Sequence, residues 1–468
     1  MEANDDAMPV YEEWREKWNK STSSLMEGAT KRGGHIAVVW KDATIIWGGL
    51  NRDSAHYICP SLVHYHIAGE WFVKETTGCL PKDGPYQNVA AQVLNDKLFI
   101  FGYTGCKFFQ PDDHNKIIHA LDLNKWLWTR HTPSGPPPLK GSNEMCSWVY
   151  NGKVYFFSGE TVLNHEPKEG EHDYPSYLRV EKYPYNEDLY TNTTNQLFCY
   201  NPRNNAWEWP LVRGDIPSPR MEGTAIINGD LVYFFGGNKP HFETVTQDRF
   251  PRCDLYILDM RTMIWQLVHT DAHLKDDASK MSDGSFPIFK WQISHTLTRI
   301  SHRTAVLFGS YHIYDSYCDG DDESFGFCWL LDLDEARHSN DPSSMWTQVP
   351  GYEHFKGHAH ASVLEPLSQQ LWVIGGFFMP TVGPTEVSGL LRFSPNVKPL
   401  KVLAMESTIR DISAEDPRVG SEELPEKLRK EIEWNRKVDD NSYPWKTGIL
   451  IRSKKFAGAK KGRNSLVN

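Results

Sequence analysis

Six times along this 468-residue chain, a short apolar run leads straight into a glycine-containing pair, three times two glycines. The fullest copy is 231–237 (LVYFFGG), preceded by Ser218, Pro219 and Arg220 and followed by the alternating segment 254–259 (DLYILD) and Trp265. The others are 44–49 (TIIWGG), 97–103 (KLFIFGY), 153–159 (KVYFFSG), 305–310 (AVLFGS) and 371–376 (LWVIGG). Apolar runs of this length bounded by turn formers are the pattern of buried strands, and glycines allow backbone conformations and close approaches that a side chain blocks. Five copies lead on to a tryptophan, at Trp71, Trp128, Trp207, Trp265 and Trp346; the sixth has none.

Recurrence at roughly 50 residues predicts an all-β chain, a six-bladed β-propeller of the kelch type in which each repeat is one four-stranded blade. The ring is expected over 30–398, with a strand from a chain terminus completing the last blade and hiding its free edge. The 13% of aromatic residues, including 17 tryptophans, suits blades that pack large side chains against their neighbours. Before the ring, Val10, Tyr11, Trp14 and Trp18 in the segment 1–29 have helical spacing and predict a short capping helix. After it, 399–437 loses strand alternation and predicts a short helical appendage, and 438–468 a basic, disordered tail with seven Lys or Arg and no acid over 446–468.

The net charge of −10 and a pI near 6.0 argue against a nucleic-acid-binding body. The tail is a candidate for nuclear import. Eight cysteines with no Cys-x-x-Cys pair read as reduced thiols. No secretory leader and no run of 18 apolar residues is present, so a cytoplasmic or nuclear protein without membrane insertion is expected, with the sequons at Asn19 and Asn192 unused. Two insertions stand out. Between Gly159 and Gln196 lie 36 residues rich in Glu, Tyr and Pro, either a functional loop or a surface excursion. The acidic stretch 315–323 lacks the order of a calcium loop and reads as solvated surface.

Catalytic signatures are missing: there is no nucleophile elbow, phosphate-binding glycine loop or dinucleotide fingerprint. The metal candidate is His354, His358 and His360, the last two on one face of a strand. The competing reading makes His360, like His35 near Arg32, a packed core residue. We therefore expect neither enzyme activity, metal nor cofactor; a metal-dependent enzyme is the remote alternative.

Residues 30–432 resemble the kelch-domain-containing substrate receptors of cullin-RING ubiquitin ligases, which recognise protein C-termini. The match is carried by the ring followed by two boxes. Leu400, Leu403, Ala404 and Thr408 align with the helix that docks elongin C of the elongin B–elongin C pair, and Leu424, Pro425 and Leu428 with the Leu-Pro-x-x-Leu box that contacts a cullin. The resemblance implies an adaptor that binds a C-terminal or other short peptide, the terminal carboxylate being held by arginines after a diglycine. Here that role falls to Lys239, Arg249 and Arg252, with Ser294 at the start of the next blade. Other family pocket positions hold Asn238, Leu50 and Glu144 in place of arginine, tyrosine and lysine. The alternative is a kelch scaffold without a ligase.

Overall fold

The computed structural model describes residues 24–51, 56–57, 59–67, 70–81, 89–102, 114–140, 144–161, 174–186, 189–237, 253–269, 292–312, 324–339, 341–349, 357–378 and 390–393. The expected N-terminal helix, the acidic stretch 315–323, the helical appendage and the basic tail lie outside them.

The described strands form an all-β kelch propeller of six blades. Blade one is Ile36–Trp40, Ala43–Trp47, Leu62–Ile67 and Glu70–Glu75. Blade two is Ala90–Leu94, Lys97–Phe101, Ile118–Asp122 and Leu127–His131. Blade three is Cys146–Tyr150, Lys153–Phe157, Leu197–Asn201 and Ala206–Glu208. Blade four is Thr224–Asn228, Leu231–Phe235, Leu255–Asp259 and Ile264–His269. Blade five is Gln292–Arg299, Thr304–His312, Ser324–Asp332 and Trp346–Gln348. Blade six is Ala361–Leu364, Leu371–Ile374 and Leu390–Phe393. Each blade is antiparallel, and each first strand touches the first strands of both neighbouring blades, blade six meeting blade one.

The recurring tryptophan holds neighbouring blades together. Trp128 of blade two lies 5.5 Å from Trp47 of blade one, Trp207 lies 5.2 Å from Phe101, Trp265 5.0 Å from Phe157 and Trp346 5.2 Å from Phe235. Each therefore packs on the last residue of the preceding blade's second strand, with aromatic geometry that adds to simple burial. Trp71 closes the ring on Trp372 of blade six, at 6.1 Å. Phe308 of blade five is the aromatic that a blade-six tryptophan would have covered; it is buried instead by Val349, Leu371 and Val373.

Blade six shows three strands among the described residues, and the fourth strand expected from a terminus is not among them. What the N-terminal side brings to the closing seam is a helix, Ser24–Thr30, whose Met26 and Ala29 are buried with Ile46, Trp71, Trp372 and Leu390.

A second device links neighbouring blades on the outside. After blades one and three, Thr77–Gly78 and Arg213–Gly214 pair in parallel with the fourth strand of the next blade, and Ser134 bridges likewise to Ala206 after blade two. The outer edge, which would otherwise present unpaired backbone groups, is thereby covered. Gly214 sits at φ +87°, and a Cβ there would lie 2.2 Å from the Trp265 carbonyl oxygen, so no other residue fits.

Asn192 is fully buried, and the six described cysteines are free thiols. Among the described residues no helix is long and apolar enough to cross a membrane. Trp265→Ala should lower folding stability by about 3–5 kcal/mol. Gly214→Ala should cost more than about 1 kcal/mol through backbone strain. Both are measurable as shifts of the denaturant midpoint.

Candidate functional site

Antiparallel pairing places the start of each first strand beside the end of the second: Ile36 faces Trp47, Cys146 faces Phe157 and Thr224 faces Phe235. The diglycines and the residues preceding each first strand therefore share one face of the ring. This face borders a cavity of about 290 Å³ lined by the inner strands of all six blades.

A chain of left-handed residues lines the mouth. Gly34, Glu144, Glu222 and Ala359 stand two residues before their first strands with φ of 67°, 52°, 58° and 55°. They are linked between blades by backbone bonds: Gly34 N–H donates to Ala359 O (2.7 Å) and Glu222 N–H to Glu144 O (3.1 Å). Glutamate adopts this conformation at a cost of about 1 kcal/mol. Glu144 and Glu222 bring two carboxyl groups to the mouth on the side of blades three and four.

Blade four clamps the two stems of its loop together. Arg220 is fully buried, and its guanidinium forks onto Asp254, with Nη2 donating to Oδ2 at 3.1 Å and Nη1 to Oδ1. The same Nη1 donates to the carbonyl of Gly236 (3.0 Å), and Nε to that of Ser218 (3.0 Å). The rings of Phe234 and Tyr256 lie within 5.7 Å. Burial opposes the charge, but the Asp254 carboxylate more than offsets it and holds the guanidinium above its ordinary value. One side chain thus ties the outgoing stem of 238–252, at Gly236, to the returning stem, at Asp254. The second diglycine residue is packed as tightly: a Cβ on Gly237, at φ +101°, would meet Met221 O at 2.9 Å.

On one side of these stems stands the blade-three insertion, which is a folded element. Glu160–Thr161, Leu189–Thr194 and Val180–Asn186 form a three-stranded antiparallel sheet. Gly159 N–H donates to Arg220 O (2.8 Å), and Thr194 bridges to Arg220, so the sheet is rooted on the same arginine. Tyr177 Oη, donating towards Leu197 O (3.0 Å) and Pro210 O (3.1 Å), holds its base to blade three. On the other side, the second and third strands of blade five run nine residues each, paired from Thr304–Asp332 out to His312–Ser324. Their ladder continues three residues past Gly309.

The histidines at the blade starts are packing residues. His295 meets the Phe235 ring edge-on at 5.5 Å, with Nε2 3.4 Å from Phe235 O, and burial pushes it down to about 4. His360 stands on Phe308 at 5.6 Å with Nε2 3.1 Å from Thr296 Oγ1. Among the described residues no three His, Cys, Asp or Glu side chains are placed to hold a metal.

Of the residues expected to bind a ligand, Ser294 lies on the first strand of blade five, at a break in the register between Ile293 and Thr296, and so on this face. Lys239, Arg249 and Arg252 belong to the loop whose stems Arg220 clamps, and they lie outside the described residues. So do Leu400, Leu403, Ala404, Thr408, Leu424, Pro425 and Leu428. The clamp itself was not foreseen from the sequence. Its signal was an arginine 34 residues before an aspartate that opens an apolar strand. Asp254→Ala strands a buried guanidinium and should cost about 3–5 kcal/mol, read by chemical denaturation. Asp254→Asn, which keeps one acceptor, should cost less.

Comparison with known proteins agrees with this architecture. Residues 34–284, more than half of the chain, match the KLHDC2/KLHL20/DRC7 Kelch-repeats domain. Human Kelch domain-containing protein 1 is 25% identical over 249 residues, 52% of this chain and 57% of that protein. Human Kelch domain-containing protein 3 is 25% identical over 265 residues, 49% of this chain and 67% of its own length. Human Host cell factor 2 is 25% identical over 264 residues, which are 54% of this chain and only 29% of that protein. The chain therefore spans well under two thirds of several of its relatives. Repeat, ring and match agree: the chain belongs to the KLHDC2/KLHL20/DRC7 type of kelch-repeat proteins and carries a protein-interaction domain of that kind.

Proposed function

We propose that this protein is the substrate-recognition subunit of a cullin-RING ubiquitin ligase, binding a short peptide, by preference a protein C-terminus, on the diglycine face. The observation that supports this most is the Arg220–Asp254 clamp, which gives the loop bearing Lys239, Arg249 and Arg252 a rigid root between two raised walls. A cationic loop on a fixed base suits an anionic terminal group, because guanidinium forks match carboxylate oxygens. The carboxyl groups of Glu144 and Glu222 favour holding such a terminus on the loop side of the mouth and keeping it out of the channel. Ser294, on the neighbouring blade, completes the peptide site.

In this reading Leu400, Leu403, Ala404 and Thr408 lay an apolar stripe into elongin C of the elongin B–elongin C pair, and Leu424, Pro425 and Leu428 contact the cullin. The receptor needs no catalytic side chain of its own. It raises the effective concentration of substrate lysines near the ubiquitin donor, in the cytoplasm or nucleus.

Co-purification with elongin B–elongin C should succeed with the intact chain and fail with Leu400→Asp. Failure with the intact chain would leave a kelch scaffold that binds its partner without a ligase. Peptides selected on the intact chain should bind roughly ten- to a hundredfold more weakly when the terminal carboxylate is amidated or when Arg252→Glu reverses the loop charge. Equal binding of acid and amide, followed by fluorescence anisotropy, would remove the C-terminal reading.

A further inference from the structure

The seam where blade six meets blade one differs chemically from the other junctions. The third strand of blade one turns His64 and His66 towards blade six, and His66 stands where blades two, four and five have the buried leucines Leu121, Leu258 and Leu331. His66 is held between Trp71 (5.2 Å) and Trp372 (4.6 Å), with Nδ1 3.9 Å from the carboxylate of Glu365 on blade six; both side chains are 2% exposed. Arg392 of blade six lies over Trp372 at 4.8 Å.

Arg32 occupies in blade one the place that Arg220 has in blade four, four residues before the first paired residue, but the position matching Asp254 is Leu62. Arg32 is 2% exposed, and its guanidinium reaches three acceptors: the carbonyl of Gly28 in the helix Ser24–Thr30 (2.5 Å), the carbonyl of Gly48 (3.0 Å) and Nδ1 of His64 (2.9 Å). Arginine can only donate, so this last bond requires His64 to be neutral with its proton on Nε2. His35, also buried at the seam, would lie 2.7 Å from a Cβ on Gly375 of blade six.

We propose that the blade six–blade one seam is a proton-released latch, in which protonation of His64 breaks its bond to Arg32 and opens the ring at this junction before any other.

Protonating His64 would set an imidazolium 2.9 Å from a guanidinium that has no carboxylate partner among the described residues. Among the described side chains, the charged and titratable groups facing this region are Arg32, His35 and His66 on blade one, and Glu365, Arg392 and His360 on blade six. Burial, then the Arg32 charge, holds His64 down to about 3 and His35 well below the ordinary 6.5. Both shifts are downwards, so the stability they represent is complete above the open-state value of 6.5 and is lost as pH falls below it. Burial raises Glu365, which acts in the opposite sense by at most one proton against the two histidines.

The test is hydrogen–deuterium exchange of the full chain at pH 7.5 and 5.5, corrected for intrinsic rates. Amides of 24–30, 44–47, 62–66 and 371–374 should open more at the lower pH by roughly tenfold for each histidine that protonates in the open state. Amides of 154–157, in blade three, should not follow, and those of 231–235, where His295 packs on Phe235, should open by no more than the tenfold of that one histidine. A uniform rise around the ring, or first opening elsewhere, would overturn the latch. His64→Asn keeps a side-chain acceptor for Arg32 without a titrating proton and should remove roughly tenfold of the seam's acid response. Full retention of that response would show that His64 is not the trigger. Should this variant fail to fold, the regional pattern of the unsubstituted chain still decides.

Discussion

A sheet has two edges and a ring has none, and the rest of this molecule follows from how the edges are removed. Each blade is too small to bury its own faces; in blades one to four the stability comes from the aromatic that the next blade lays across the end of the second strand, and in blade five aliphatic side chains take that place. Trp128 on Trp47 and Trp265 on Phe157 are the same contact repeated. The outer edges of blades two, three and four are covered by linkers, and the inner strands support one another around the cavity. With strands committed to edges and faces in this way, the connections on the diglycine face are free to vary, and variation is what blades three, four and five display.

Two arginines at matching positions show how one scaffold position takes on different physical roles. Arg220 meets a carboxylate and becomes a fully satisfied fork that organises a loop. Arg32 meets carbonyl groups and a neutral imidazole, and burial pushes it down to about 9. Arginine stays charged at that value at neutral pH, so blade one keeps a buried cation that, among the described residues, is solvated by dipoles alone. Low-dielectric surroundings strengthen such bonds while complete and make their loss costly.

The ring was legible in the sequence because its signal is local and repeated: apolar run, small pair, tryptophan. The packed role of His35 and Arg32 was legible for the same reason. The closing seam was not. The strand expected from a terminus lies outside the described residues, which bring to the seam a helix whose Met26 and Ala29 pack with Trp71 and Trp372. The linkers were also missed, although each carries a glycine three residues before a proline, at Gly78 and Pro81, Gly135 and Pro138, and Gly214 and Pro217. That spacing gains meaning only beside the tryptophan carbonyl of the next blade. The insertion between Gly159 and Gln196 read equally well as loop or excursion, since its root pairs with the backbone of Arg220, a residue from another blade.

The stem clamp of blade four has a consequence for how such a ring changes over evolutionary time. With Gly236 and Asp254 tied to one guanidinium, the ends of the intervening segment stay at a fixed separation whatever its composition. Doubling the length of a segment so held costs only about 0.6 kcal/mol in closure entropy. New sequence can therefore be tried between these two residues while the blades go on folding as before, and the specificity of the face can drift without putting the fold at risk.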